Sequence, residues 1–272
     1  MNVELIVDST VDVPEHIRSR LTVVPLTIHF GQEEYLDGVT MDKHRFYERL
    51  VESDVLPTTS QASPAAFDRE FRRVRCSGGS AVVLTIAAGL SGTYQSACIA
   101  AEGRENIFVV DTMSASIGSG ILARYAIDNA HLPAGELAAL LERRRQDVCI
   151  IGLVDTLEYL QKGGRIGKVT AMAGTMLQIK PLITFAADGQ LQSIAKVRGR
   201  NLVIRKLIEL VTQSHNGAAR YNGGAPAEME VLQGKLTTAL PNYDHIWSGE
   251  LDGTLSVYIG DGVLGAAVQR LE

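Results

Sequence analysis

Four short apolar runs constrain this chain most. Each is too short for a helix, and helices are spaced between them. Val3-Glu4-Leu5-Ile6-Val7 gives way to Asp8-Ser9-Thr10, and Asp12-Val13-Pro14 then opens a short helix. Ala81-Val82-Val83-Leu84-Thr85-Ile86 leads to Leu90-Ser91-Gly92-Thr93 and a helical pattern through Ala100. Asn106-Ile107-Phe108-Val109-Val110 ends in Asp111-Thr112 before a helix running to Ala130, and a further helix over 134–145 precedes the run 148–154. Strands alternating with helices predict a parallel sheet covered by helices.

The turn after the second run is the candidate site. The first turn of a helix carries unpaired N–H groups and partial positive charge, which suits an anion. Ser91 is placed as an N-cap, and Gly92 lets a ligand approach the backbone. Between the first two runs lie an extended segment, Thr22 to Phe30, with Pro25 suggesting an edge, and a hairpin-like return through Tyr35-Leu36-Asp37-Gly38. A helix over 42–51 turns Phe46, Tyr47 and Leu50 inward. The segment Pro57-Thr58-Thr59-Ser60-Gln61-Ala62-Ser63-Pro64 reads as a loop crowded with neutral donors, and Ser63-Pro64 starts the next helix.

After residue 154 the alternation stops. A short helix from Asp155 ends at Gly163-Gly164, and a small apolar helix covers 171–178. Strand 179–185 turns at Asp188-Gly189, a hairpin signal, into strand 191–197. Helix 201–213, strand 218–221, helix 225–236, strands near 243–248 and 254–259, and a last apolar strand through Ala266-Ala267 complete an α+β half.

Several function classes are excluded. Hydrophobic residues make up 46% and charged residues 21%, the balance of a soluble globular protein. The net charge of -5 and the lack of a helix-turn-helix signature argue against nucleic acid. Cys76, Cys98 and Cys149 lie far apart, and the six histidines have no metal spacing, so neither a disulfide framework nor a metal site is expected. No run approaches the roughly 20 apolar residues of a membrane span. The first run is too short for a signal sequence and lacks a basic start, so a reducing cytoplasm is expected. Gly118-Ser119-Gly120-Ile121-Leu122-Ala123 matches a loose dinucleotide pattern, but its first glycine stands well past the strand end; close helix packing explains it better. The Gly163-to-Lys168 stretch is too short for a phosphate loop and has Val169 where Ser or Thr should follow the lysine.

Seven stretches in order resemble the DegV family of bacterial fatty-acid-binding proteins. They are residues 8–14, 35–38, Thr59-Ser60-Gln61-Ala62-Ser63-Pro64, 90–97, Asp111-Thr112 with Ser116-Ile117-Gly118-Ser119-Gly120, 157–166, and Ile179-Lys180-Pro181 with 196–200. The resemblance implies an α/β, two-domain DegV-like fold. Residues 1–154 would form an N-terminal parallel-sheet α/β domain, and 155–272 a C-terminal α+β domain with a mostly antiparallel sheet. It further implies one long-chain fatty acid, such as palmitate or oleate, in a buried tunnel between the domains. Thr59 and Ser91 would hold the carboxylate with Gly92 and Thr93, supported by Ser60, Gln61 and Tyr258. The protein would be no enzyme and need no cofactor or metal, and several members of the family present the carboxylate to a fatty acid kinase for phospholipid synthesis. Where the family commonly reads His-x-Gly-Pro-Gly-x-x-Gly, this chain has Tyr258-Ile259-Gly260-Asp261-Gly262-Val263-Leu264-Gly265. Tyr258 donates a hydrogen bond as the histidine would, but carries no positive charge at neutral pH.

The chemistry is consistent with that implication. A tail of about fourteen methylenes offers on the order of 10 kcal/mol before costs. The mouth need only keep a buried carboxylate from being unpaired, which neutral hydroxyls and N–H groups do without a buried Lys or Arg. The tail is expected against helix 171–177, Ile28, Phe30 and Ile183. Lys162, Arg165, Arg198 and Arg200 form a local basic excess, with Arg165, Arg198 and Arg200 read as a docking face for a kinase. The alternative is a hydrolase or phosphotransferase using Ser91, although Ser91 lies in no nucleophile-elbow pattern.

Overall fold

The computed structural model describes residues 3–172, 179–214, 219–223, 226–239, 248–260 and 262–269. The first strand, β1 (Val3–Asp8), leads into a one-turn helix α1 (Glu15–Arg18), which begins directly after Pro14. The extended segment that follows splits at Pro25, which has no N–H to donate, into β2 (Thr22–Val24) and β3 (Thr27–Phe30). β3 turns at Gly31-Gln32 into β4 (Glu33–Leu36), and helix α2 (Lys43–Glu52) follows, capped by the Asp42 carboxylate on the Arg45 N–H.

The hydroxyl-rich stretch read as a loop is a strand, β5 (Thr58–Ser60), paired antiparallel with β3. Its short run of two threonines suits an extended backbone, and β3 offers a free edge for it. β4, β3 and β5 thus make a three-stranded sheet. Helix α3 (Pro64–Cys76) starts where expected, with Ser63 accepting the Ala66 N–H.

β6 (Ser80–Thr85), helix α4 (Thr93–Ala101), β7 (Ile107–Asp111) and helices α5 (Ser116–Asp128) and α6 (Ala134–Arg144) follow. The four strands β2-β1-β6-β7 form one wholly parallel sheet. Leu5, Val7, Val82 and Leu84 face α5 and α6, while Ile6, Ala81 and Val83 face Phe67 and Phe71 of α3. Burial on both faces is why these strands read as unbroken apolar runs. Gly118 and Gly120 do serve packing: a Cβ on Gly120 would lie 2.1 Å from the Asp12 carbonyl oxygen.

The fourth apolar run, expected within the parallel sheet, belongs elsewhere. β8 (Val148–Leu153) pairs antiparallel with β9 (Ile179–Phe185) on one side and with β13 (Val263–Gln269) on the other. Being the centre of a second sheet buries it on both faces, so its composition matches that of a central parallel strand. Placing it in the first lobe, with a boundary after residue 154, separates it from its partners. After the short helix α7 (Glu158–Lys162) and β9, the chain continues through β10 (Leu191–Arg198), α8 (Arg200–Ser214), β11 (Ala219–Gly223), α9 (Pro226–Ala239) and β12 (Ser248–Glu250). The six-stranded sheet runs β10-β9-β8-β13-β11-β12 and is antiparallel except between β11 and β12.

Residues 254–259, expected as a strand, are instead helical: α10 (Gly253–Ile259), capped by the Asp252 carboxylate on the Leu255 N–H. The apolar run there is too short to separate strand from buried helix, and the Asp cap decides it. The expected helix over 171–178 lies mostly outside the described residues; a 3₁₀ turn, Gly167–Met172, leads up to it.

Candidate functional site

The parallel strands β1, β6 and β7 all present their C-terminal ends to one side, where open α/β sheets place ligands. The connections leaving β6 and β7, the three-stranded sheet, the inner face of β8 and β9, and α10 enclose a cavity of about 300 Å³. Its wall is largely apolar, with Ile86, Leu90, Ile150, Ile183, Leu191 and Leu255 among its contributors. That volume is at the lower end of small-molecule sites.

Its polar groups converge from distant parts of the chain. Thr59, Ser60 and Gln61 come from β5 and its exit, Ser91 and Gly92 from the turn after β6, and Tyr258 from α10. Thr59 Oγ1 and the Tyr258 hydroxyl share a 2.6 Å hydrogen bond. Ser91 Oγ lies 2.9 Å from Thr93 Oγ1 and accepts the Thr93 N–H at 3.3 Å. Gly92, not Ser91, is the cap position of α4, because its carbonyl accepts the first helical bond, from the Ser96 N–H at 2.9 Å. Thr93 is fully buried and reaches the site through Ser91.

Gln61 lies over this turn, its Nε2 donating to Ser96 Oγ at 2.8 Å. A Cβ on Gly92 would stand 2.0 Å from Gln61 Oε1, so a larger residue here would have to turn the Gln61 amide aside. The tyrosine is seated in the same way. A Cβ on Gly163, at the end of α7, would come within 2.3 Å of the Tyr258 ring.

Arg165 stands at the cavity wall rather than on an open face. Its guanidinium lies 4.9 Å from the centre of the Tyr258 ring, within cation–π reach. It also donates to the Gly163 carbonyl at 2.8 Å and the Leu90 carbonyl at 3.3 Å. No acidic side chain pairs with it among the described residues. A half-buried guanidinium thus lines the same cavity as the neutral donors, against the Tyr258 ring. Arg200 is occupied locally, bonded to the Asp155 carboxylate and the Gly262 carbonyl, with Lys180 also 3.1 Å from Asp155. Arg198 is exposed at the end of β10, and Lys162 pairs with Glu158 one turn earlier in α7.

Of the residues expected along a tail, Ile183 lines the cavity. Ile28 and Phe30 do not; they pack with Met41 and Phe46 in a separate apolar cluster. They lie on the face of β3 that α2 covers. Residues 173–178 and Asp261 are outside the described residues.

Among the polar lining residues, Thr184, Thr254 and Ser116 escaped the sequence reading. Thr254 lines the cavity and was missed because α10 was read as a strand. Ser116 also lines it, holding a left-handed backbone (φ 53°) that few non-glycine residues adopt. Its amide donates to the Thr10 carbonyl at 3.0 Å and its hydroxyl to Asp12 at 2.7 Å, which fix that conformation. Behind the wall, Asp8 is wholly buried at the end of β1 and accepts the Ile86 N–H at 2.6 Å. Burial pushes its carboxyl up to about 6, against the pull of its hydrogen bonds from Thr10 and Ile86.

The DegV family model matches residues 2–271. The chain belongs to the DegV family. A DegV domain-containing protein from Clostridium acetobutylicum is 32% identical over 279 residues, covering 98% of each chain. Among solved structures, a fatty-acid-binding DegV family protein from Thermus thermophilus superposes with a TM-score of 0.90 at 30% identity, covering 100% of both chains. A stearic-acid-binding protein from Eubacterium ventriosum superposes with a TM-score of 0.86 at 25% identity over 98% of each chain. The two-lobed α/β architecture is thus a DegV fold. No helix among the described residues is long and apolar enough to cross a membrane.

Proposed function

We propose that this DegV protein binds one long-chain fatty acid, with the tail in the cavity between the two lobes and the carboxylate at Thr59, Ser91 and the Gly92-Thr93 turn. The observation that carries this reading is the make-up of the cavity wall: mostly apolar, with the hydroxyls of Thr59, Ser91 and Tyr258 and the guanidinium of Arg165 among its polar groups. DegV neighbours described as fatty-acid-binding share the fold and support it. Tyr258 and Thr59 exchange their mutual hydrogen bond for bonds to the carboxylate. Arg165 supplies the positive charge that a tyrosine lacks. Gln61, with Ser60 beside it on β5, holds the turn in place.

The tail contributes most of the affinity, since burying each methylene is worth about 0.8 kcal/mol. The head group is oriented rather than gripped. Palmitate and oleate are the ligands to try first. The carboxylate then lies near Arg165, with Arg198 exposed farther along the same lobe, which suits presentation to a fatty acid kinase for phospholipid synthesis.

A hydrolase or phosphotransferase using Ser91 would need a base on its hydroxyl. Among the described residues, the bonds of Ser91 Oγ run only to Thr93.

Native mass spectrometry of protein purified under mild conditions tests the binding reading. The expected result is an added mass in the long-chain fatty acid range. A clean apo mass, with no uptake of palmitate or oleate by delipidated protein, contradicts it. Turnover of acyl esters or ATP that disappears in Ser91→Ala would favour the enzyme.

A further inference from the structure

A second polar cluster joins the two lobes, outside the mouth but attached to the same helix. Thr254 of α10 donates its hydroxyl to Asp37 at 2.6 Å, and Asp37 also accepts the Ser9 hydroxyl at 3.0 Å. Ser256 of α10 shares a 2.8 Å hydrogen bond with Tyr47 of α2. Lys43 of α2 bonds the Asp12 carboxylate at 3.0 Å and the carbonyl oxygen of Glu250, just before α10. Asp252 caps α10 through Oδ1, while its Oδ2 is buried without a partner in the described structure.

Three buried carboxylates, Asp12, Asp37 and Asp252, therefore gather at the lobe boundary around one ammonium, which is bonded to Asp12. Like charges this close, out of water, cannot all be ionised cheaply. The same helix lines the cavity through Thr254, Leu255, Tyr258 and Ile259, and Ser116 lines it while bonding Asp12. Cluster and cavity cannot move independently.

We propose that this cluster is the latch of the cavity: α10 leaves the first lobe when the cluster gives up its protons to solvent, and the cavity opens with it. Burial raises Asp37, with Asp12 repelling it, and raises Asp252 well above its ordinary range, with Asp37 and Asp12 adding. Burial opposes the charge on Lys43, yet Asp12, Asp252 and Asp37 hold it above its ordinary value. The other titratable or charged groups facing the cluster are Asp8 at the end of β1, Arg18 beside Gly38, Tyr47 of α2 and Glu250. A carboxyl that is raised when closed and ordinary when hydrated holds a proton only in the closed form. Closure is therefore strongest at low pH and weakens as pH rises through the raised values.

The deciding experiment is hydrogen–deuterium exchange of the delipidated protein from about pH 5 to about pH 8, with each rate divided by the intrinsic rate at that pH. The opening constant of peptides covering 251–259 should rise by at least about fivefold; one proton sets a ceiling of about tenfold per pH unit. In Asp252→Asn, whose amide oxygen can still cap Leu255, the rise should shrink. A flat wild-type profile, or an equal rise in both Asp252→Asn and Asp37→Asn, overturns the latch. If either variant fails to fold, Lys43→Met serves: without the ammonium the rise must move to higher pH, and an unmoved rise overturns the proposal.

The link to ligand exchange rests on the fatty-acid reading and is measured separately, as stopped-flow release of cis-parinaric acid. Release should accelerate over the same pH span. If the probe never binds while α10 still opens with pH, the ligand reading fails and the latch stands. If it binds and its release stays flat, the coupling of latch to cavity is overturned.

Discussion

Tyr258 and Thr59, 199 positions apart in the chain, share a 2.6 Å hydrogen bond across the gap between the lobes. One sits in α10, the other in β5 of the three-stranded sheet. Each is the other's partner in the cavity wall, so under the proposed reading an arriving carboxylate breaks this bond and both hydroxyls turn to it. The exchange leaves neither hydroxyl unpaired in either state, which keeps the cost of the empty site low.

Removing the tyrosine hydroxyl tests the mouth with little disturbance. Tyr258→Phe keeps the ring against Gly163 and Arg165 and loses only the donor. Fatty-acid affinity should fall by about 1 kcal/mol, close to the net worth of one hydrogen bond. Thr59→Ala and Ser91→Ala should cost about 1–3 kcal/mol each, as a buried acceptor loses a donor. Fluorescence displacement measures all three; unchanged affinity in the Thr59→Ala/Ser91→Ala double variant refutes the site.

Arg165 should distinguish acids from their neutral analogues. Arg165→Met should weaken palmitate by about 1–3 kcal/mol, in the range of charge-assisted hydrogen bonds, and leave hexadecanol nearly unchanged. Equal losses for both would make Arg165 a packing residue. Isothermal titration of the two ligands decides between them.

Two glycines, Gly92 in the cavity wall and Gly163 against the Tyr258 ring, answer to sterics. Gly163→Ala would drive a methyl into the Tyr258 ring, and Gly92→Ala would displace Gln61. Overpacking against the ring should cost Gly163→Ala about 1–3 kcal/mol of stability, and Gly92→Ala should cost less, since only a flexible amide must turn. Thermal melting should show Gly163→Ala recovering part of its loss in the Gly163→Ala/Tyr258→Ala double variant. Purely additive losses would mean that the two side chains do not meet.

Asp8 carries a pH dependence of its own. Its carboxyl titrates at about 6 in the folded protein, above the ordinary carboxylate value. The folded state therefore binds this proton more tightly, and the contribution of Asp8 is fully present below about pH 4 and lost as pH rises through about 6. Urea unfolding of wild type minus Asp8→Asn should show this slope in the difference. At neutral pH the variant should still be less stable by about 1–3 kcal/mol, because its amide would face the Ile86 N–H with a donor. A difference independent of pH contradicts the assignment.

The parallel sheet was legible because burial on both faces leaves unbroken apolar runs, as in β1 and β6. The same property misplaced β8, since a central antiparallel strand buried on both faces carries the same composition. Thr59, Ser91 and Tyr258 came from the family resemblance, and the structure brings them to one cavity. Ser91 and Gly92 also carried a local signal, the turn that opens α4. Arg165 was noticed for its charge but assigned to the surface, because nothing local shows that Tyr258 will fold over Gly163 beside it. Thr254 and Ser256 were lost with the misread α10, and with them the contacts to Asp37 and Tyr47. Ile28 and Phe30 show the limit of alternation: it gives the buried face of a strand, not which of two apolar volumes that face meets.

The most direct test of the account is the affinity of saturated fatty acids from about ten to about eighteen carbons, in wild type and in the Thr59→Ala/Ser91→Ala double variant. Affinity should climb by up to about 0.8 kcal/mol per methylene until the cavity is full. The double variant should give a parallel line displaced to weaker binding. An affinity indifferent to chain length would contradict the claim that the apolar cavity supplies the attraction and the mouth only the orientation.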